Sequence, residues 1–412
     1  MPTYFADVAG LGGSPNNSNA GGITTPWLNL GVNLHKLTAG DTLNVRGGTY
    51  ASVNDVMDSN LVTFPGGTSG HPITIQNYNG ESAIVNTPDG YNPLGLNSGT
   101  QTWITVSGLI FDGTGTVNTN IQGIYISGTA SQIQITLCSV RNWPNFGIQV
   151  SNNNGAANAI TIYGCSIHGN GSGGLITNGH GIYNTGGGTV TIDTCLIHDN
   201  LGYGIHSYED DGFYNISGCI YRNNTIYNQG RSPGTVPSYG IVCAGGQNTL
   251  VYNNLLYNNY GGINVYSLEL NCGVYNNTIT GNQPGNANAN GGIDLQYYGS
   301  APTIENNINF NNETTYNDYG GTGTPIHSND YTSDPTFVNA GAGNYQLQGT
   351  SGAIGTGLTL AALFTSDLLG NGRVVPWTAG AYQYYAPGSA VLARRTLSAM
   401  GMRAGGRQRQ GS

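Results

Sequence analysis

Apolar and polar positions alternate in short bursts along most of the chain. Ile104-Thr105-Val106 and Ile160-Thr161-Ile162 show the period of two expected of strands with one buried face. The bursts also repeat. AITIYGCSIHGN, beginning at Ala159, returns as TVTIDTCLIHDN, so that Ile162, Cys165, Ile167, His168 and Asn170 match Ile192, Cys195, Ile197, His198 and Asn200 after 30 positions. Self-similarity at a period of this size predicts a stack of structural repeats.

Two ladders extend the repeat. One is an anchor with an aliphatic two residues on, weakening to Asn309 at the last rung: Cys138, Cys165, Cys195, Asn224, Asn254, Asn277 and Asn307, at steps of 27, 30, 29, 30, 23 and 30. The other is a Gly-Ile pair, with Ile124, Ile148, Ile182, Ile205, Ile241, Ile263 and Ile293. Strands that return every 22 to 36 residues, with no helical pattern between them, predict a parallel β-solenoid. Rungs lie about 4.8 Å apart, so inward Asn side chains on successive rungs can hydrogen-bond along the stack. An unpartnered buried amide would cost about 1–3 kcal/mol. Cys at the same position reads as a small apolar core residue.

Composition narrows the picture. The chain has 412 residues, 67 of them Gly, and only 8% are charged, which suits a solenoid with tight, repeated turns. Up to residue 386 there are six basic and 20 acidic side chains, whereas the last 26 residues hold five Arg and no acid. An acidic body argues against nucleic acid as the main partner. The six Cys form no Cys-x-x-Cys pair, and no apolar run reaches the length of a membrane span. MPTYFADVAG lacks the charged and apolar regions of a signal peptide. The reading is then that a leader was removed, or that export follows another route such as viral lysis.

Residues 1–40 read as an N-terminal cap, in which an amphipathic piece from Leu28 to Leu37 covers the first coil. GDTLNVRGGTY from Gly40, GHPITIQNYNGE from Gly70 and WITVSGLIF from Trp103 then resemble the N-terminal coils of right-handed parallel β-helix proteins. That pectate lyase-like superfamily includes pectate lyases, alginate lyases and chondroitinase B-like enzymes. Asp334-Pro335, Phe337-Val338, Tyr345, Leu347, Ser351 to Ile354 and Gly380-Ala381-Tyr382 resemble the closing module such proteins often carry, although Gly352 and Gly355 replace the usual Pro and Asp. The resemblance implies an all-β chain, a single-stranded right-handed parallel β-helix. Its coils would occupy residues 41–320, a C-terminal closing module 321–386, and a basic tail 387–412. That tail is a candidate anchor to a virion partner or another acidic or assembled partner.

In such a fold, chemistry sits on outward side chains that align from rung to rung. The residues after Gly-Ile are Tyr125, Gln149, Tyr183, His206, Val242, Asn264 and Asp294; two further on come Ser127, Ser151, Thr185, Tyr208, Ala244, Tyr266 and Gln296. Aromatic faces suit sugar C–H groups and amides read hydroxyls. An extended polysaccharide is therefore the expected ligand of Tyr125, Gln149, Tyr183, Tyr208, Asn264, Tyr266, Asp294 and Gln296. A solvated face rich in β-favouring Tyr is the plain alternative. His206, Glu209, Asp210 and Asp211 form the densest polar group and are the candidate acid–base set, or an oxygen-rich Ca2+ site.

Gly179-His180-Gly181 resembles a polygalacturonase motif, but Asn-Thr-Asp and Arg-Ile-Lys are absent and the match reads as chance. Lyases of the resembling families usually take a proton with Lys or Arg, and the single lysine here is Lys36. That disfavours a Lys-dependent lyase and leaves a His/Tyr-dependent one, with His206 as base and Tyr183 or Tyr208 as acid. A second outward row, Arg141, His168, His198, Tyr227, Tyr257 and Thr280, reads mainly as surface stacking. Two functions stay open: an extracellular or virion-associated polysaccharide-binding protein, acting as a lyase or hydrolase if it cleaves, and a non-catalytic fibre, spike or decoration subunit, with homo-oligomers in either case.

Overall fold

The computed structural model describes residues 2–387 apart from 98, 152–157, 172, 174–178, 187, 210–215, 231–237 and 283–290. The chain coils as a right-handed parallel β-helix. Each coil lays one strand in each of three sheets, taken here as first, second and third in the order the chain visits them. Among the described residues they hold 12, 10 and 10 strands. In one coil these are Ser131–Thr136, Ser139–Arg141 and Ile148–Ser151.

The alternation places its apolar residues inside. Ile133, Ile160 and Val190 align in the first sheet, Val140, Ile167, Ile197 and Ile226 in the second, and Ile124, Ile148, Ile182 and Ile205 in the third. All are buried in one continuous core. The Gly-Ile ladder is therefore the inner face of the third sheet.

The anchor residues occupy the corner between the first and second sheets. Each follows a residue with positive φ, including Leu137, Thr194, Asn223, Asn253, Asn276 and Asn306. Asn adopts this left-handed backbone at least cost after Gly. Inside the corner the amides stack as the pattern predicts. Asn224 Nδ2 donates to Asn254 Oδ1, Asn254 to Asn277 and Asn277 to Asn307, each at 3.0 Å; Asn307 donates to Asp330 Oδ1 at 2.9 Å. Cys138, Cys165 and Cys195 continue the position upstream, buried and unpaired.

A second inner ladder at the next corner escaped the sequence reading. Asn170 donates to Asn200, Asn200 to Gln229, Asn259 to Asn282 and Asn282 to Asn312, at 2.9 to 3.1 Å. At both corners, backbone groups that leave the sheets are satisfied by side chains from the adjacent coil.

The two ends differ. Thr3–Ala6 pairs with Thr42–Val45, so the N-terminal segment adds a strand to the first sheet as well as covering it. The 3-10 helix Gly31–Lys36 then buries Leu34, with Leu30 and Leu37 beside it. The C-terminal segment instead runs back along the outside of the first corner. Asn306, Asn276 and Asn253, from three successive coils, donate to the carbonyls of Leu358, Thr378 and Ser366. Phe364 stacks on Tyr252 at 4.5 Å, and Arg373 reaches Asn253 Oδ1 at 2.6 Å. No helix among the described residues is long and apolar enough to cross a membrane.

Candidate functional site

The outer face of the third sheet brings together more rings than the stripe after Gly-Ile accounts for. The extra ones sit directly before Gly-Ile: Phe146, His180, Tyr203 and Tyr239. Phe146 stacks on His180 at 5.4 Å, and His180 packs against Tyr203 at 4.9 Å. This row leans over the stripe. Tyr183 and His206 stack at 4.9 Å, Phe146 lies 4.7 Å from Tyr183, Tyr203 lies 4.6 Å from His206, and Tyr208 closes the group at 5.4 Å from His206. The recurring aromatic before Gly-Ile was the sequence signal that could have found these residues.

Hydrogen bonding gives the cluster a direction. The Tyr203 N–H donates to His180 Nδ1 at 3.1 Å, and His180 Nε2 lies 3.0 Å from His206 Nδ1. A backbone N–H can only donate, so His180 Nδ1 accepts and its proton sits on Nε2. That proton is given to His206 Nδ1, which puts the proton of neutral His206 on Nε2. Burial among the rings holds the His206 pKa down to about 3. His206 is therefore neutral near neutral pH, with its Nε2–H as a donor. The Gly-His-Gly motif, read as chance, supplies the residue that sets this state.

The other site residues divide. Tyr125, Gln149, Tyr183, Tyr208, Tyr266 and Gln296 are part-exposed on the same face, and Gln149 Oε1 accepts from Gln122 Nε2 at 2.9 Å. Asn264 and Asp294 share their register but are buried, and Asp294 has no exposure. For Asp294 the reason is Tyr239. Its ring lies across Gly261, where a Cβ would come within 2.5 Å of it, and reaches Asp294 Oδ2 with a 2.5 Å hydrogen bond. Gly291 N and Asn317 Nδ2 bind Asp294 Oδ1 at 2.7 and 2.8 Å. Burial raises the pKa of Asp294. Asn264 and Asp294 thus lie beneath the face instead of on it.

Glu209 is also displaced from its expected place. Strand alternation puts it on the side of Ser207, and its Oε2 accepts the Ile216 N–H at 3.1 Å at the buried corner toward the first sheet. Asp210 and Asp211 lie outside the described residues. The paired carboxylates of a hydrolase are thus not assembled among the described residues. No three His, Cys, Asp or Glu side chains converge as a metal site among the described residues.

A family model described as Pel9A-like, right handed beta helix region matches residues 12–329. The chain belongs to this family. Among solved structures, pectate lyase Pel9A superposes on this Pel9A-like chain with a TM-score of 0.64 at 14% identity, covering 93% of this chain and 96% of that one. A rhamnogalacturonan lyase follows at 0.54 and 16% identity, over 82% and 91% of the two chains. These likenesses show the fold. A curated relative, the uncharacterised protein YwoF of Bacillus subtilis (strain 168), is 33% identical over 131 residues, 30% of this chain. The chain spans about a quarter of that relative's length, 26%.

The base implied by the lyase resemblance has no counterpart on the third sheet among the described residues of this Pel9A-like chain. Lys36 lies in the N-terminal segment, 5.4 Å from the Trp27 ring centre. Arg141 pairs with Asp112 on the second sheet and Arg222 with Asp193 on the first.

Proposed function

We propose that this protein binds a polysaccharide along the outer face of its third sheet, at the cluster of Phe146, His180, Tyr183, Tyr203, His206 and Tyr208. The observation that carries the reading is the directed pair His180–His206. It holds His206 Nε2–H as a donor with no partner among the described residues, beside a Tyr203 hydroxyl that likewise has none there. Two such donors among rings match the acceptor oxygens of a sugar. With neutral histidines and an acidic body, a neutral glycan fits better than a polyuronate. The Gly-Ile row suits an extended chain crossing several rungs, reaching Tyr125 and Gln149 at one end and Tyr266 and Gln296 at the other. A ligand of this kind belongs outside the cell or on a virion surface.

Cleavage, if the bound glycan is cut, would draw on Asp210 and Asp211, with His206 donating a hydrogen bond instead of taking a proton. Affinity electrophoresis through neutral and acidic polysaccharides, beside assays for released sugar, tests both statements. Retardation by a neutral polysaccharide, weakened roughly tenfold by His206→Ala, is expected. Product release lost in His206→Ala and Asp210→Asn would make the protein an enzyme. Retardation without release would leave a binding subunit, such as a fibre or decoration protein. No retardation by any polysaccharide would sink the proposal.

A further inference from the structure

The outer face of the second sheet carries a row that the third-sheet reading does not use. Asp199, Asn228, Asn258, Gly281 and Asn311 all have φ between 54° and 66°, at equivalent positions just after the second-sheet strand. Their side chains form a chain of hydrogen bonds along the surface. Asn228 Nδ2 donates to Asp199 Oδ1 at 2.9 Å, and Asn258 Nδ2 donates to Asn228 Oδ1 at 2.6 Å. The next rung should donate to Asn258 Oδ1, but it is Gly281, around whose absent Cβ nothing lies within 4 Å. The chain of amides is cut, and Asn258 Oδ1 has no partner among the described residues.

The gap is a walled cavity. Its volume is about 490 Å³, between Tyr227 and Tyr257 on one side and the turn Ala340–Gly343 with Tyr345 on the other. The solenoid supplies the first wall and the C-terminal segment the second. Tyr227 and Tyr257 stack at 4.9 Å and 12°, and Tyr345 tilts against Tyr257 at 4.8 Å, so ring edges rather than ring faces line the cavity. Among the described residues the three phenol hydroxyls have no hydrogen-bond partner. Burial, and then neighbouring phenols, raise the pKa of Tyr257, which keeps its hydroxyl a donor.

We infer that this cavity is a second carbohydrate site, which takes a neutral sugar residue by its hydroxyls. A sugar hydroxyl would donate to Asn258 Oδ1 where an Asn at 281 would have done so, and its neighbours would accept from the tyrosines. An anion is disfavoured: no Lys, Arg or His lines the cavity, and Asp199 ends the row. The site lies on a different sheet from the His180–His206 cluster, so either can exist without the other.

Gly281→Asn tests it directly. Asn already holds this backbone at 228, 258 and 311, so the variant should fold. Its Nδ2 should reach Asn258 Oδ1 and fill the gap. The probes are xylo-, cello- and manno-oligosaccharides, with trigalacturonate as the anionic comparator, titrated calorimetrically in a His206→Ala background that removes the third-sheet donor. A neutral oligosaccharide should bind this background and bind Gly281→Asn/His206→Ala roughly tenfold more weakly or not at all. Unchanged binding in the double variant, no neutral binding in the background, or tighter binding of trigalacturonate would each overturn the inference. Failure of the third-sheet proposal shows separately, as a His206→Ala titration identical to wild type.

Discussion

The outer faces of the second and third sheets carry the same residue types and put them to different ends. On the second sheet, His168, His198, Tyr227 and Tyr257 occupy one position per rung and pile up face to face, 4.7 to 4.9 Å apart. Ring spacing there simply repeats the rung spacing. On the third sheet a second row enters from the residues before Gly-Ile and crosses the first. Rings then meet at steep angles, 85° between His180 and His206, and Tyr239 reaches two coils along to Asp294. A single file of aromatics makes a stack; two offset files make a cluster with buried polar atoms inside it. Titration is perturbed in both arrangements, but further in the second: His168 in the single file is held down to about 4 and His206 in the cluster to about 3.

If the third-sheet face is interlocked in this way, its glycines should matter most. Gly261→Ala places a Cβ against the Tyr239 ring and breaks its bond to buried Asp294. A loss of about 2–3 kcal/mol is expected from denaturant midpoints. A neutral result would mean that Tyr239 has another resting place, and the contrast between the faces would narrow.

Removing a ring from the second-sheet pile should cost less. Tyr227→Ala deletes two stacking contacts at a part-exposed site, and about 1 kcal/mol is expected in the same measurement. A loss as large as that of Gly261→Ala would show that the pile is as interdependent as the cluster.

Acid sensitivity gives the finest distinction. Unfolded imidazoles titrate near 6.5, whereas burial, aided by the His198 and Arg141 charges, holds folded His168 down to about 4, and burial holds His206 down to about 3. Both folded values lie below the unfolded one, so the unfolded chain takes up protons first as pH falls. Stability present at neutral pH is therefore lost below about 6.5, down to about 4 for His168 and about 3 for His206. At about pH 3, His206→Asn should retain a thermal midpoint higher than His168→Asn by about 1 °C, each referred to its own neutral value. The reverse order would place the more buried histidine on the second sheet.

What could be read from the chain alone was everything that repeats. Period-two alternation and the two ladders determine a parallel β-helix, because every coil must put the same apolar positions in register to bury its face. The Asn row from Asn224 to Asn307 followed for the same reason, since each buried amide needs its copy one rung away. The second inner row, from Asn170 to Asn312, obeys the same rule but was hidden by Gln229 and by the variable spacing before the third sheet.

The site belongs to what does not repeat. Strand alternation correctly sends Asn264 and Asp294 outward, but only the fold shows them buried, with Tyr239 passing through the space left by Gly261 to bond Asp294. His180 looked like a chance motif until the third sheet set it 3.0 Å from His206 and left the proton of neutral His206 on Nε2. Glu209 left the cluster because one further step along a strand reverses the side it faces. Sequence determines which residues share a row; the direction a ring leans, and therefore what it covers and which nitrogen keeps its proton, is settled only when adjacent rows pack.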